Sequence, residues 1–156
     1  MTRFLLLPAA VALMAMQTGS TAMQPGQWEF VTTMTELDMP GSPPDMVEAA
    51  RSGIGRPRTE SRCVSPEEAA DPAARLMQRR NATNCDYSRT IFADGRIDIA
   101  GRCTSADGDP MEVALTGDFT AIDMRGAISA DVANGTMRMR GTMTARRTGD
   151  CAPGAS

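Results

Sequence analysis

Three methionines stand close together in the segment TMRMRGTMT: Met137, Met139 and Met143. Their even spacing places all three side chains on one face of an extended strand. A thioether sulfur is a soft ligand that suits Cu(I), so one hypothesis is a copper-binding or oxidant-buffering surface. The other hypothesis is an apolar surface, because methionine is a flexible side chain that fills cores and adapts to varied apolar partners.

The four cysteines are the next residues whose chemistry matters: Cys63, Cys85, Cys103 and Cys151. An even number of cysteines in an exported chain predicts disulfides. A four-thiolate zinc site is the alternative, but the spacings between these cysteines are wide and no CxxC pair occurs. We therefore expect two disulfides and no metal ion at these positions.

Groups for acid–base catalysis are scarce. The chain contains no His and no Lys, which leaves carboxylates and Tyr87 for proton transfer once the cysteines are paired. The sequence DGD at residues 107–109 lacks the other ligands of an EF-hand loop and is typical of a turn. We expect neither an enzyme nor a cofactor. The net charge of -3 also argues against a nucleic-acid partner, which binds basic faces.

The N-terminus predicts export. Residues 1–22 combine an early cation, Arg3, with an apolar run from Phe4 to Met16 and a small-residue ending at Ala22, which is typical of a cleavable secretory signal. The residue after the expected cut is Met23 and not Cys, so no lipid anchor is expected there. We predict a single β-rich domain over residues 23–156 that is periplasmic or secreted and keeps no membrane anchor after cleavage.

The C-terminal half predicts antiparallel strands. Apolar and polar residues alternate on both sides of Asn134-Gly135, a dipeptide that favours a two-residue type I′ turn between two strands. A turn that closes with Ala133 opposite Thr136 defines the register. The apolar face then pairs Val132 with Met137, Ala130 with Met139, Ile128 with Gly141, Gly126 with Met143 and Met124 with Ala145, and the polar face pairs Asp131 with Arg138 and Asp123 with Arg146. Opposite charges and large–small pairs support this register.

A second hairpin is predicted upstream, with a three-residue loop at Ala93-Asp94-Gly95. In this register Phe92 lies opposite Arg96. The register also places Arg89 on the apolar face, which is a misfit.

The upstream register makes a prediction about the disulfides. It sets Cys85 opposite Cys103, and directly opposed strand positions lie within disulfide range. Elimination would then pair Cys63 with Cys151, although three connectivities remain open from the sequence.

Two further segments alternate as strands do: PMEVALTGDF at residues 110–119 and GQWEFVTTMTEL at residues 26–37. The region between them contains short helical signals. We predict a helix after Ser42-Pro43-Pro44-Asp45 that ends at Gly53, an exposed mobile stretch at Gly53–Glu60, and a helical turn capped by Ser65 with Glu68 closing the capping box. Pro72 interrupts that helix, which we expect to restart at Asp71 and run to Arg80, with Leu76 and Met77 on the sheet.

The predicted fold is therefore mainly β (α+β). It consists of an antiparallel meander sheet of about six strands with one or two short helices, stapled by disulfides.

Several local motifs occur in a recognisable order: PGQWEF from Pro25, CVSPEEAADP from Cys63, NCDYS from Asn84 and RRTGDC ending at Cys151. Together they resemble the exported domain-of-unknown-function family 3617 of Gram-negative bacteria. The resemblance covers nearly all of the chain after the signal, except for the longer insert at residues 45–61. It implies an envelope or periplasmic location and a small β-rich domain, and it implies no reaction.

A non-enzymatic binding or accessory domain is the function that these features favour. An antiparallel sheet with one apolar, methionine-rich face can hold an apolar small molecule or contact an envelope protein. The residues expected to line that face are Trp28, Phe30, Met124, Met137, Met139 and Met143. Two alternatives stay open: the same residues fill a closed core, or the methionines bind Cu(I).

Overall fold

One antiparallel sheet organises the part of the chain that the computed structural model describes, residues 22–73, 82–105 and 107–152. Its seven strands are β1 (Gly26–Asp38), β2 (Pro57–Val64), β3 (Ala82–Ala93), β4 (Arg96–Ser105), β5 (Pro110–Phe119), β6 (Asp123–Val132) and β7 (Met137–Gly149). Their order in space is β2-β1-β7-β6-β5-β4-β3. Strands β3 to β7 form the predicted meander, and β1 closes back onto β7.

The hairpin of β6 and β7 has the predicted register in every pair, from Val132 opposite Met137 to Asp123 opposite Arg146. Asn134 and Gly135 both have positive φ, 55° and 94°, as a type I′ turn requires. Ala133 also has positive φ, 48°, and Ala133–Gly135 forms a short 3-10 turn. The strand pairs end at Val132 and Met137, so the connection has four residues and not the predicted two. The backbone N–H of Thr136 donates to the carbonyl of Ala133 at 3.4 Å and closes the turn. Alternation around an Asn-Gly dipeptide was therefore sufficient to define this half of the sheet.

The hairpin of β3 and β4 differs from its predicted form. Its turn has two residues, Asp94 and Gly95, so Phe92 lies opposite Ile97 and not Arg96. A register shift between Tyr87 and Arg89 then restores the predicted pairs further along the strands. The prediction near the turn was wrong because an irregularity of one residue reverses which side chains face the core.

The corrected register explains the misfit of Arg89. The guanidinium lies on the polar face, where its Nε donates to Asp98 Oδ1 at 2.9 Å. Phe92 takes the apolar position instead, and its ring centroid lies 4.2 Å from that of Phe119.

Strand β2 was not predicted. The prediction of an exposed mobile stretch at Gly53–Glu60 was wrong for its second half, because from Pro57 onward the chain pairs with β1. Its side chains are mostly exposed up to Ser61, so the strand has no alternating pattern that would reveal it. Charged residues and an initial proline are typical of the edge of a sheet, and Arg62 contributes by placing its guanidinium carbon 4.8 Å from the ring centroid of Phe30.

Two short helices lie outside the sheet, α1 (Pro44–Arg51) and α2 (Pro66–Ala70). Helix α1 ends two residues before the predicted Gly53, and its N-cap residue, Pro43, makes no side-chain cap. Helix α2 has the predicted capping box. Glu68 N–H donates to Ser65 Oγ at 3.2 Å, and Ser65 N–H donates to Glu68 Oε2 at 2.9 Å.

The predicted extension of this second helical segment to Arg80 falls outside the described residues, and so do Leu76 and Met77. Among the residues that are described, no helix is long and apolar enough to cross a membrane.

Both disulfides form as predicted, Cys63–Cys151 and Cys85–Cys103, with Cα–Cα distances of 5.4 Å and 4.0 Å. No cysteine is left free, so a four-thiolate zinc site is excluded. The pair Cys85–Cys103 joins β3 to β4 at one end of the sheet. The pair Cys63–Cys151 lies at the other end and ties β2 to the chain that follows β7.

Candidate functional site

The apolar face of the sheet is divided into two ends that differ in burial. At the first, which we name the closed end, side chains form a hydrophobic cluster that includes Trp28, Phe30, Phe119, Met124 and Met143. Ala69 of α2, the nearby Ala73 and the N-terminal Met23 belong to the same cluster. The closed end is therefore a core in which strands, helix and N-terminal segment pack together.

Trp28 is the centre of the closed end. Its side chain has 0 % of its surface exposed, and its indole Nε1–H donates to the carbonyl of Gln24 at 2.9 Å. Gln24 is itself fixed, because its N–H donates to the carbonyl of Ala121 at 2.9 Å. The buried indole nitrogen has the partner that a core tryptophan needs.

Four of the six residues expected to line a ligand surface lie in this cluster: Trp28, Phe30, Met124 and Met143. Their burial ranges from 0 to 4 % exposed, which leaves little of their surface for a ligand. Met137 and Met139 lie elsewhere, at the opposite end of the apolar face, and are half-buried.

The second end contains three buried residues, Leu37, Cys103 and Val132. Beside them lies a group of half-buried apolar side chains from four neighbouring strands. We name it the methionine patch, and it consists of Met34, Met111, Val113, Ala130, Met137 and Met139. Cross-strand pairing brings these residues together. Met137 lies opposite Val132, which lies opposite Met111 on the next strand, and Met139 lies opposite Ala130, which lies opposite Val113.

Four members of the patch were not among the predicted ligand-facing residues: Met34, Met111, Val113 and Ala130. The alternation of β5 and the β6–β7 register already indicated that residues of these strands lie on the apolar face. What was missing was the pairing of β5 with β6, which places Met111 two strands away from Met137.

Tyr87 on β3 lies beside the patch at the edge of the sheet, and it also packs against the buried cluster of the closed end. It lies opposite Gly101, which lies opposite Val113. A Cβ atom added at Gly101 would approach Tyr87 Cδ1 to 2.8 Å, so the glycine makes room for the tyrosine ring above β4. The phenol oxygen is buried and has no hydrogen-bond partner among the residues that the structure describes. Burial also raises the pKa of Tyr87 above its usual value, so the hydroxyl stays protonated at neutral pH.

The opposite face of the sheet is charged. One cross-strand row runs through six strands, from β3 to β7 and on to β1: Asp86, Arg102, Glu112, Asp131, Arg138 and Asp38. Arg102 Nε lies 3.0 Å from Glu112 Oε1, and Arg138 Nε lies 3.4 Å from Asp131 Oδ2. These partners are exposed, so each ion pair adds little stability. The row makes this face of the sheet charged and solvent-exposed.

A shallow cavity of about 560 Å³ lies against this charged face, over Ala100, Ala114 and Ser129. Nothing in its lining gives it a nucleophile with a neighbouring base. Within the described ranges no three His, Cys, Asp or Glu side chains are grouped to hold a metal ion. The cavity lies between charged side chains that are exposed to solvent.

The thioether hypothesis can be examined on β7. Six residues separate Met137 from Met143, so their Cα atoms lie about 20 Å apart on an extended strand. Metal–sulfur bonds in proteins are about 2.3 Å long, and a single ion cannot contact sulfurs that far apart. Only Met137 and Met139 are neighbours on the strand.

The distance along β7 separates only Met143 from the other thioethers, because Met34 and Met111 of nearby strands lie close to Met137 and Met139 in the methionine patch. If the patch holds an apolar molecule and not copper, the simultaneous substitutions Met137→Leu, Met139→Leu and Met143→Leu should leave Cu(I) affinity unchanged. The protein should still fold, because leucine and methionine have similar volumes and such replacements usually cost less than about 1.5 kcal/mol each. Competition with a chromogenic Cu(I) chelator measures the affinity. A loss of Cu(I) binding in a folded triple variant would instead support the metal hypothesis.

Comparison with known proteins gives a family and no activity. A family of proteins described as "Protein of unknown function (DUF3617)" matches residues 23–151. No curated protein and no solved structure is similar enough to be matched. The matched range begins at the expected signal cleavage site and ends at Cys151, so it contains all seven strands and both disulfides. The chain belongs to this DUF3617 family.

Proposed function

We propose that the protein is a non-enzymatic binding domain of the periplasm, or of the secreted fraction, that holds an apolar small molecule on its methionine patch. The half-burial of the patch is the observation that carries this proposal. Its six side chains are apolar and lie together, yet they stay outside the buried cluster of the closed end.

The chemistry of the patch fits binding better than catalysis. None of its six side chains titrates, so the patch supplies contact area and not acid–base groups. Four of the six are methionines, and methionine side chains rotate easily and adapt to ligands of different shape. Val113 and Ala130 are smaller and lie between Met139 and Tyr87 in the same cross-strand row. The side chains in the middle of this row are therefore shorter than those at its two ends.

The two disulfides support the proposed location. Such bonds persist in oxidising compartments and are rare in the cytosol. They fit a protein that folds outside the cytoplasm, as the predicted signal at residues 1–22 would require. An exported accessory domain that carries an apolar molecule through an aqueous compartment needs a partly covered apolar surface of this kind.

Met139→Asp tests the proposal. The substitution places a carboxylate in the middle of the patch, and an uncompensated charge disfavours contact with an apolar ligand. We expect at least a tenfold loss of affinity for N-phenyl-1-naphthylamine, a neutral apolar fluorophore, in a variant that still unfolds cooperatively. Fluorescence titration and urea unfolding provide the two measurements.

Two variants on the same strand serve as controls. Thr142→Asp lies on the opposite, exposed face and should bind the fluorophore like the wild type. Met143→Asp puts the carboxylate into the closed end, where Met143 is 2 % exposed, and should prevent folding. If Met139→Asp unfolds the protein as Met143→Asp does, Met139 is part of the core and the proposal fails.

A further inference from the structure

We propose that the apolar ligand carries a neutral carbonyl group and that this carbonyl accepts a hydrogen bond from the Tyr87 hydroxyl. The inference rests on the proposed function and specifies the chemistry of its ligand. It starts from one anomaly: the Tyr87 hydroxyl is buried, and no group in the described part of the chain forms a hydrogen bond with it. Buried polar atoms in native proteins are nearly always bonded, so an exception calls for an absent partner.

The position of Tyr87 connects this hydroxyl to the methionine patch. A single cross-strand row on the apolar face runs from Tyr87 through Gly101, Val113 and Ala130 to Met139. The ring is held over Gly101, because a Cβ at that position would come within 2.8 Å of Tyr87 Cδ1. The small side chains in the middle of the row lie between the tyrosine and Met139. A molecule that occupies them therefore has Tyr87 at one end.

The hydroxyl acts as a donor. The raised pKa of Tyr87, caused by its burial, keeps the proton on the oxygen at neutral pH. A phenol in an apolar layer gains most from a ligand group that accepts, and a carbonyl oxygen has two lone pairs for this purpose.

The acceptor should be uncharged. Along this row the described side chains are apolar, and none is a cation that would balance a carboxylate. Arg62 of β2 lies over Phe30 at the closed end, away from this row. Burying an unpaired carboxylate is costly, whereas an ester, amide or ketone carbonyl needs only the one hydrogen bond. The chemistry is that of a long apolar chain or ring with a neutral carbonyl.

Tyr87→Phe separates this inference from the proposed function. The probes are methyl decanoate, which has a carbonyl, and decane, which has none, each measured by displacement of N-phenyl-1-naphthylamine. We expect wild-type protein to bind both and to bind methyl decanoate more tightly. In Tyr87→Phe the affinity for methyl decanoate should fall about five- to tenfold, the equivalent of one hydrogen bond. The affinity for decane should stay the same.

The stability of the variant gives a second measurement. Because phenylalanine keeps the ring and removes an unpartnered buried hydroxyl, Tyr87→Phe should melt at the same temperature as the wild type or higher. A fall in melting temperature would mean that the hydroxyl already has a partner, such as a water molecule, and would overturn the inference.

The binding outcomes are distinguishable. If Tyr87→Phe leaves both affinities unchanged, or lowers both equally, the hydroxyl does not recognise a carbonyl and the inference fails while the proposed function stands. If the wild type binds neither probe, the proposed function and the inference fall together. Decanoate at pH 8 is the charge control, and binding of that anion as tight as that of the methyl ester would contradict the neutral acceptor.

Discussion

Removing the Cys63–Cys151 disulfide is expected to lower the free energy of unfolding by about 4–5 kcal/mol. The bond joins residues 88 apart in the sequence, and a cross-link that closes a long loop removes much conformational entropy from the unfolded chain. Domains of this size have net stabilities of about 5–15 kcal/mol. The double variant Cys63→Ala/Cys151→Ala should therefore be partly unfolded at 37 °C.

The other disulfide provides the matched comparison. Cys85–Cys103 closes a loop of only 18 residues, so the variant Cys85→Ala/Cys103→Ala should lose about 3 kcal/mol. Urea unfolding without reductant measures both losses. A larger loss for the shorter loop would contradict the expectation that the longer closed loop gives the larger stabilisation.

Trp28→Ala is expected to cost about 3–5 kcal/mol of stability, the range for truncation of a large buried aromatic side chain. Trp28 is fully buried in the cluster that joins β1 to α2 and to the N-terminal Met23. The substitution also removes the hydrogen bond to the carbonyl of Gln24 and leaves a cavity. The shift of the urea midpoint, multiplied by the slope of the transition, gives the loss.

Met46→Ala is the control for this prediction. Met46 lies on α1 and is 52 % exposed, so the change should alter stability by no more than about 0.5 kcal/mol. A Trp28→Ala variant as stable as Met46→Ala would mean that the closed end is not the core of the protein.

Sequence patterns defined those strands whose two faces differ. In β6 and β7 the polar face alternates with the apolar one around Asn134-Gly135, and every predicted pair is present. Strand β2 has no such contrast, because both of its faces are exposed up to Ser61. It is held by backbone pairing with β1 and by Arg62 over Phe30, and neither interaction produces a periodic signal.

The β3–β4 hairpin shows a second limit. Its Asp94-Gly95 turn and the irregularity near Tyr87 and Arg89 are both local, yet together they decide which of Phe92 and Arg89 faces the core. In the sequence, this irregularity is indicated by the predicted register, which places Arg89 on the apolar face. Only the pairing of the strands shows that an extra residue in β3 resolves this misfit.

The candidate site was predicted in part. The alternation correctly put Met137, Met139 and Met143 on one face, but it could not tell which end of that face is covered. Coverage is decided by distant parts of the chain, since Ala69 of α2 and Met23 belong to the same buried cluster as Met143, whereas Met139 is half-buried. The unpartnered hydroxyl of Tyr87 has no sequence signature at all, because it depends on what surrounds the ring.

The most direct test of the central claim is native mass spectrometry of the protein recovered from a periplasm without reductant or chelator. If the methionine patch holds an apolar ligand, the wild type and Thr142→Asp should carry an added organic mass that Met139→Asp lacks. The protein mass should also match a chain that begins at Met23 and has lost four hydrogens to two disulfides. A wild-type protein that appears only as the bare oxidised chain, or that carries the same added mass as Met139→Asp, would contradict the claim.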